Sequence, residues 1–146
     1  MLVTKETLFQ FIPQRPPMVM VDGLKEHTAE ISLSSFKIES DNIFISNGLL
    51  QMPGMIENIA QTAALRNGYD FMIKMQTSED KAPKPPVGFI GEVKNLIIHF
   101  LPAAGETLET KVTLLHNIFT ASVVKGVVTY QGTIAAECEM KIFVQP

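Results

Sequence analysis

Tryptophan is absent from the chain, tyrosine occurs twice and cysteine once. A single Cys138 excludes an internal disulfide, and its place in a strand-like run reads as a small core residue rather than a reactive thiol. So few flat aromatic faces exclude a stacking platform for single-stranded nucleic acid. Cations are scarce too: 12 Lys and Arg against 15 Asp and Glu leave a net charge of −3. A phosphate backbone asks for the opposite balance, so no nucleic-acid partner is expected. No apolar run reaches the roughly 18 residues of a membrane span, and residues 1–6 are too polar for a secretory signal. The expected location is the cytoplasm. His27, His99, His116 and Cys138 show no metal-ligand spacing. Glycine-rich phosphate loops are missing as well, so neither a metal nor a cofactor is expected.

What the sequence does hold is apolar residue: 46% is hydrophobic and only 18% charged, enough to fill a core. The length suits one domain, residues 1–146. Residues 4–11 read as a short helix capped by Thr4, stopped by Pro13, Pro16 and Pro17. A strand signal begins at 18–21 and continues over 27–38, where Ala29, Ile31 and Leu33 alternate with polar neighbours. Asn47-Gly48 marks a turn. Residues 53–75 carry the longest helical signal, with Pro53 in the first turn and apolar residues around much of the circumference. Gly68 is a soft spot where this helix is expected to bend or end. Residues 76–86 read as a linker with three prolines and two lysines, Lys81 and Lys84.

Four strand signals follow, over 87–101, 107–115, 119–130 and 133–144. Gly91 suggests a bulge, His116-Asn117 a turn, and Gln131-Gly132 a tight hairpin. One long helix followed by antiparallel strands predicts an α+β, hot-dog fold, a curved sheet wrapped around one central helix. Its long edge strand would be covered by edge pairing in a two-fold dimer.

Three motifs carry a family resemblance. Ile12-Pro13-Gln14-Arg15-Pro16-Pro17-Met18-Val19-Met20-Val21-Asp22 resembles the opening of the 3-hydroxyacyl-acyl-carrier-protein dehydratases. Met52-Pro53-Gly54 with Glu57-Asn58-Ile59-Ala60-Gln61 resembles the start of that family's central helix. Pro86-Val87-Gly88-Phe89-Ile90-Gly91 is similar to its next strand, closest to the branch of aryl-polyene and flexirubin-type pigment biosynthesis. The resemblance spans nearly the whole chain and departs from the family at two histidines. Gln14 stands where the pigment branch has His, and Ser46-Asn47-Gly48-Leu49-Leu50-Gln51 contains none where other dehydratases place their catalytic His.

The resemblance implies an acyl thioester, on an acyl-carrier-protein or coenzyme A, as partner, and a homodimer or a hetero-oligomer with a homologue. Dehydration needs a base for the proton beside the carbonyl and an acid for the departing hydroxyl. Glu57 matches the family's helix carboxylate; a glutamate favoured by the helix dipole would look the same. Gln14 cannot take a proton but can hydrogen-bond a thioester oxygen or Glu57, or simply tie the proline turns together. Gln61, one turn after Glu57, would orient it or cross a dimer interface. Gly54 and Met55 offer N–H donors for a thioester oxygen, unless Gly54 serves close packing. Asn58 and Gly88 complete the expected substrate-binding set. Arg15, Arg66, Lys74, Lys81 and Lys84 are candidates for a basic rim that steers an acidic carrier protein, or for a merely solvated surface. Three activities fit: a dehydratase, a catalytically silent subunit or acyl-binding partner of a homologue, and a thioesterase in which Glu57 activates water or attacks directly.

Overall fold

The computed structural model describes residues 1–75 and 87–144. Strands β1 (Gly23–His27) and β2 (Ile31–Lys37) form a first hairpin. A two-residue pair, β3 (Ile45–Ser46) and β4 (Leu49–Leu50), precedes helix α1 (Met52–Met75). Then come β5 (Gly88–Ile98), β6 (Thr107–Ile118), β7 (Ala121–Tyr130) and β8 (Thr133–Val144). Six strands make one antiparallel sheet in the order β1-β2-β6-β7-β8-β5, with α1 against it. This is the expected hot-dog arrangement. No described helix is long and apolar enough to cross a membrane.

Turn chemistry sets the registers. Asn47 and Gly48 have φ of 54° and 77°, and Gln131 and Gly132 have 49° and 81°. Two successive positive φ values make the tight turn whose twist matches a β-hairpin. The β5 ladder slips between Ile90 and Glu92, placing the expected bulge at Gly91.

Ile59 and Met55 of α1, Val124 and Val128 of β7, and Met140 of β8 belong to one buried cluster. Gly126 belongs to this contact, because a methyl group there would collide with Ile59. Cys138 lies in the same cluster, and burial pushes its thiol pKa up to about 11. It is the core residue its neighbours suggested.

Several expectations are corrected. Only Leu8–Gln10 is helical near the N-terminus, as a 3₁₀ turn. Successive i→i+3 bonds, from Thr7 to Thr4, Gln10 to Thr7 and Phe11 to Leu8, tighten the segment before Pro13. Residues 28–30 break the single strand expected over 27–38. Strand β6 runs on through His116 and Asn117, and the turn falls at Phe119, which takes φ 54°. Gly68 does not end α1, which runs on to Met75; glycine stands there because the Phe11 carbonyl passes where a side chain would be. The linker, with Lys81 and Lys84, lies outside the described residues.

The inward face of β2 differs most from expectation. Ser32, Ser34 and Phe36 are buried, whereas Ile31 and Leu33 lie on the less covered side. The reason is the helix, which presents polar groups to this part of the sheet. Thr62 and Ser34 share a hydrogen bond of 2.7 Å, and Arg66 donates to Ser32 and to the Thr28 and Ala29 carbonyls.

Candidate active site

Gln61 is fully buried and makes three hydrogen bonds. Its Oε1 accepts from the Met20 N–H at 2.6 Å; its Nε2 donates to the Met18 carbonyl at 2.7 Å and to Glu57 Oε2 at 2.9 Å. Asn58 donates to the Met20 carbonyl at 2.7 Å and accepts from the Thr110 hydroxyl. Two adjacent turns of α1 thus clamp residues 18–20 by their backbone. That clamp carries the preceding loop past the helix and brings Gln14 to Glu57.

Gln14 and Glu57 line one cavity of about 250 Å³. Ala60, Ala64 and Asn67 continue the wall along α1, and Gly88, Phe89 and Ile90 of β5 with Ile142 and Val144 of β8 close it from the sheet. Glu57 is the one ionisable side chain among these lining residues. Gln14 Oε1 is buried and has no partner among the described residues. A buried acceptor without a donor is costly, so this atom is poised for one.

The seven residues singled out from sequence therefore divide. Glu57, Gln14 and Gly88 meet at the cavity. Gln61 touches it through Glu57, while Asn58 is committed to Met20 and Thr110 on the other side. Gly54 and Met55 lie apart. Both N–H groups point to the Gln51 carbonyl, at 3.0 and 3.4 Å, so neither is free for a thioester oxygen. Gly54 is a packing glycine: a methyl group there would press on Leu50 and Phe44. Asn67 was not singled out, though its spacing from Glu57 through Ala60 and Ala64 follows one helical stripe.

The histidines lie elsewhere. His27 bridges Ser32 and Asp70, each at 2.7 Å, and His99 meets Glu137 at 3.1 Å. His116 borders a separate depression on the sheet. Arg15 is tied to the Ile12 and Gln14 carbonyls and stacks over Phe9, and Arg66 is buried, which removes Arg66 from the basic rim expected of it. Burial lowers the Arg66 pKa, with Asp70 acting against it.

A family model for the ApeP-like dehydratases matches residues 6–146. The chain belongs to the ApeP-like dehydratase family. Among curated proteins it is similar to the 3-hydroxyacyl-[acyl-carrier-protein] dehydratase FabZ of Clostridium acetobutylicum, 25% identical over 99% of both chains. Among solved structures it is similar to a chain of the dehydratase heterocomplex ApeI:P from Xenorhabdus doucetiae. That match has a TM-score of 0.80 at 17% identity, over 95% of this chain and 91% of the other. A hypothetical thioesterase from Streptococcus pneumoniae, solved with coenzyme A, matches at TM-score 0.63 and 12% identity, over 84% of each chain. In this ApeP-like chain, Gln14 and Glu57 form the polar end of the cavity.

Proposed function

We propose that this chain dehydrates 3-hydroxyacyl thioesters carried by an acyl-carrier-protein or coenzyme A. The observation that carries the reading is that Glu57 and the unpartnered Gln14 Oε1 line one cavity whose other walls, Asn67 apart, are apolar or glycine. With one ionisable group lining the cavity, Glu57 serves both proton transfers. Its carboxylate takes the C2 proton, the C3–O bond breaks, and the same proton leaves on the hydroxyl as water, giving the 2-enoyl thioester. Both transfers then fall on one face of the substrate. Gln14 Oε1 accepts from the substrate hydroxyl or from protonated Glu57, and Gln61 holds the carboxyl in place as a positioning residue.

The edge of β5 supports a two-fold assembly, because among the described residues β5 pairs only with β8. It also exposes Phe89 and Ile97, at 50% and 49%. An unpaired apolar edge calls for a partner strand. Such an assembly would put the cavity, which includes Gly88 to Ile90, beside the second subunit. The place of action is the cytoplasm.

A second reading has its own support. No imidazole lines the cavity among the described residues, as a silent subunit paired with a catalytic homologue would have it, and the ApeI:P match is itself a heterocomplex.

Incubating the purified protein with a 3-hydroxyacyl pantetheine thioester, and following enoyl absorbance beside free thiol, separates these readings. Enoyl product that falls roughly 10²–10⁴-fold in Glu57→Gln supports dehydration. Free thiol and acid would replace it with hydrolysis. Silence in both channels, with enoyl product appearing on Gln14→His, would make this chain a site that lost its base.

A further inference from the structure

Asn67 lines the same cavity as Glu57 yet stands ten residues away along α1. Ten helical residues span about 15 Å. Between them the stripe holds only Ala60 and Ala64, and Ile142, Val144, Phe89 and Ile90 face it from the sheet. The cavity is thus an apolar channel with a carboxyl and an amide at one end and a lone carboxamide at the other. Polar neighbours of Asn67 on the same helix, Asn58, Gln61, Thr62 and Arg66, are all hydrogen-bonded. The Asn67 carboxamide is half-buried and has no hydrogen-bond partner among the described residues.

We infer that Asn67 reads the far end of the substrate's acyl chain and selects chains that end in a hydroxyl or carbonyl. The inference rests on the placement of the thioester at Glu57. From there either the acyl chain or the pantetheine arm must follow the channel. A pantetheine arm carries amides along its length, and the middle of the channel has no side-chain polar group to pair with them. The acyl chain is the part that fits alanines, isoleucines and valine. Counted from C3 at Glu57, at about 1.2 Å per extended bond, a chain of roughly fourteen carbons covers the distance. A methyl end would then displace water from the Asn67 carboxamide and return no hydrogen bond, whereas a hydroxyl or carbonyl end would replace the water.

The test compares two fourteen-carbon 3-hydroxyacyl pantetheine thioesters, one ending in methyl and one in hydroxyl, on wild type and on Asn67→Leu. Wild type should favour the hydroxyl-ended substrate by about tenfold in kcat/KM, and Asn67→Leu should reverse the order. Equal use of both substrates by wild type would overturn the inference, as would an unchanged ratio in Asn67→Leu. A changed oligomeric state of Asn67→Leu in size-exclusion chromatography would also overturn it, assigning the residue to a subunit contact. A four-carbon substrate on wild type, too short to reach Asn67, tests dehydration by itself. If that substrate is not turned over, the proposed reaction fails while the inference is still decided by calorimetric affinities of the two long thioesters, with the same tenfold preference expected.

Discussion

The two flanks of α1 both carry polar side chains and treat them in opposite ways. Toward β1, β2 and β6, Asn58, Thr62, Arg66 and Asp70 follow one another at four-residue steps, and each meets a partner. Toward β5 and β8, Glu57 and Asn67 share a cavity with Gln14, and Glu57 Oε2 meets a single neighbour, Gln61. Buried polar groups that are all paired specify a packing; polar groups left unpaired over a cavity await a ligand. Residue type alone does not separate the two, since asparagine stands on both flanks. What separates Asn58 from Asn67 is what stands opposite: Thr110 of β6 and the Met20 carbonyl of the loop in one case, apolar side chains of β5 and β8 in the other.

The comparison breaks most readily at Gln61, which belongs to both flanks. Gln61→Leu would leave the buried Met20 N–H without an acceptor and residues 18–20 held to the helix by the Asn58 bond alone. A loss of about 3 kcal/mol in urea unfolding is expected, with turnover falling as Gln14 moves from Glu57. Next in size is a pair of neighbours. Arg66→Met should cost about 2 kcal/mol, because the Ala29 and Thr28 carbonyls lose a charged donor. Asn67→Leu, one residue on, should stay within about 0.5 kcal/mol of wild type in the same measurement. Equal losses would erase the distinction between the flanks.

The smallest effect concerns Asp22, at the end of the clamped loop. Its carboxylate accepts from the Lys37 N–H at 2.7 Å, yet burial outweighs that bond and raises its pKa. A raised folded-state pKa means the folded state holds the proton more tightly than the unfolded one. Its contribution is therefore complete below the ordinary Asp pKa and is lost as pH rises through the raised value. Asp22→Asn should accordingly be slightly more stable than wild type at pH 7, with the gain closing as pH falls toward the ordinary Asp value. A gain that persists in acid would place its origin elsewhere.

Apolar content made α1 and the four C-terminal strands legible; β7 and β8 bury one alternating face, whereas β5 leaves most of its residues exposed. Asn47-Gly48 and Gln131-Gly132 were legible as turns for a stereochemical reason, their tolerance of positive φ. The polar seam was not. The alternation of Ala29, Ile31 and Leu33 pointed their side of β2 inward, and only the presence of Thr62 and Arg66 opposite reverses it. At the site, the motif residues Glu57, Gln14 and Gly88 could be named from sequence. Ala60 and Ala64 read equally well as core, and Asn67 as solvated surface. Their joint role depends on how far β5 and β8 stand from the helix, a distance no local pattern records.

The contact between Gly68 and the Phe11 carbonyl bears on when the site comes into being. Phe11 passes close over Gly68 with its ring against Tyr69, and Met18 to Met20 are held at Gln61 and Asn58, so the stretch that carries Gln14 is packed at one end and hydrogen-bonded at the other. A strap fixed twice to a rigid rod has little slack. Gln14 therefore stands opposite Glu57 before any substrate arrives, and binding need not spend energy on gathering the two. Access is then left to the remaining side, the margin of β5 that pairs with no further strand among the described residues.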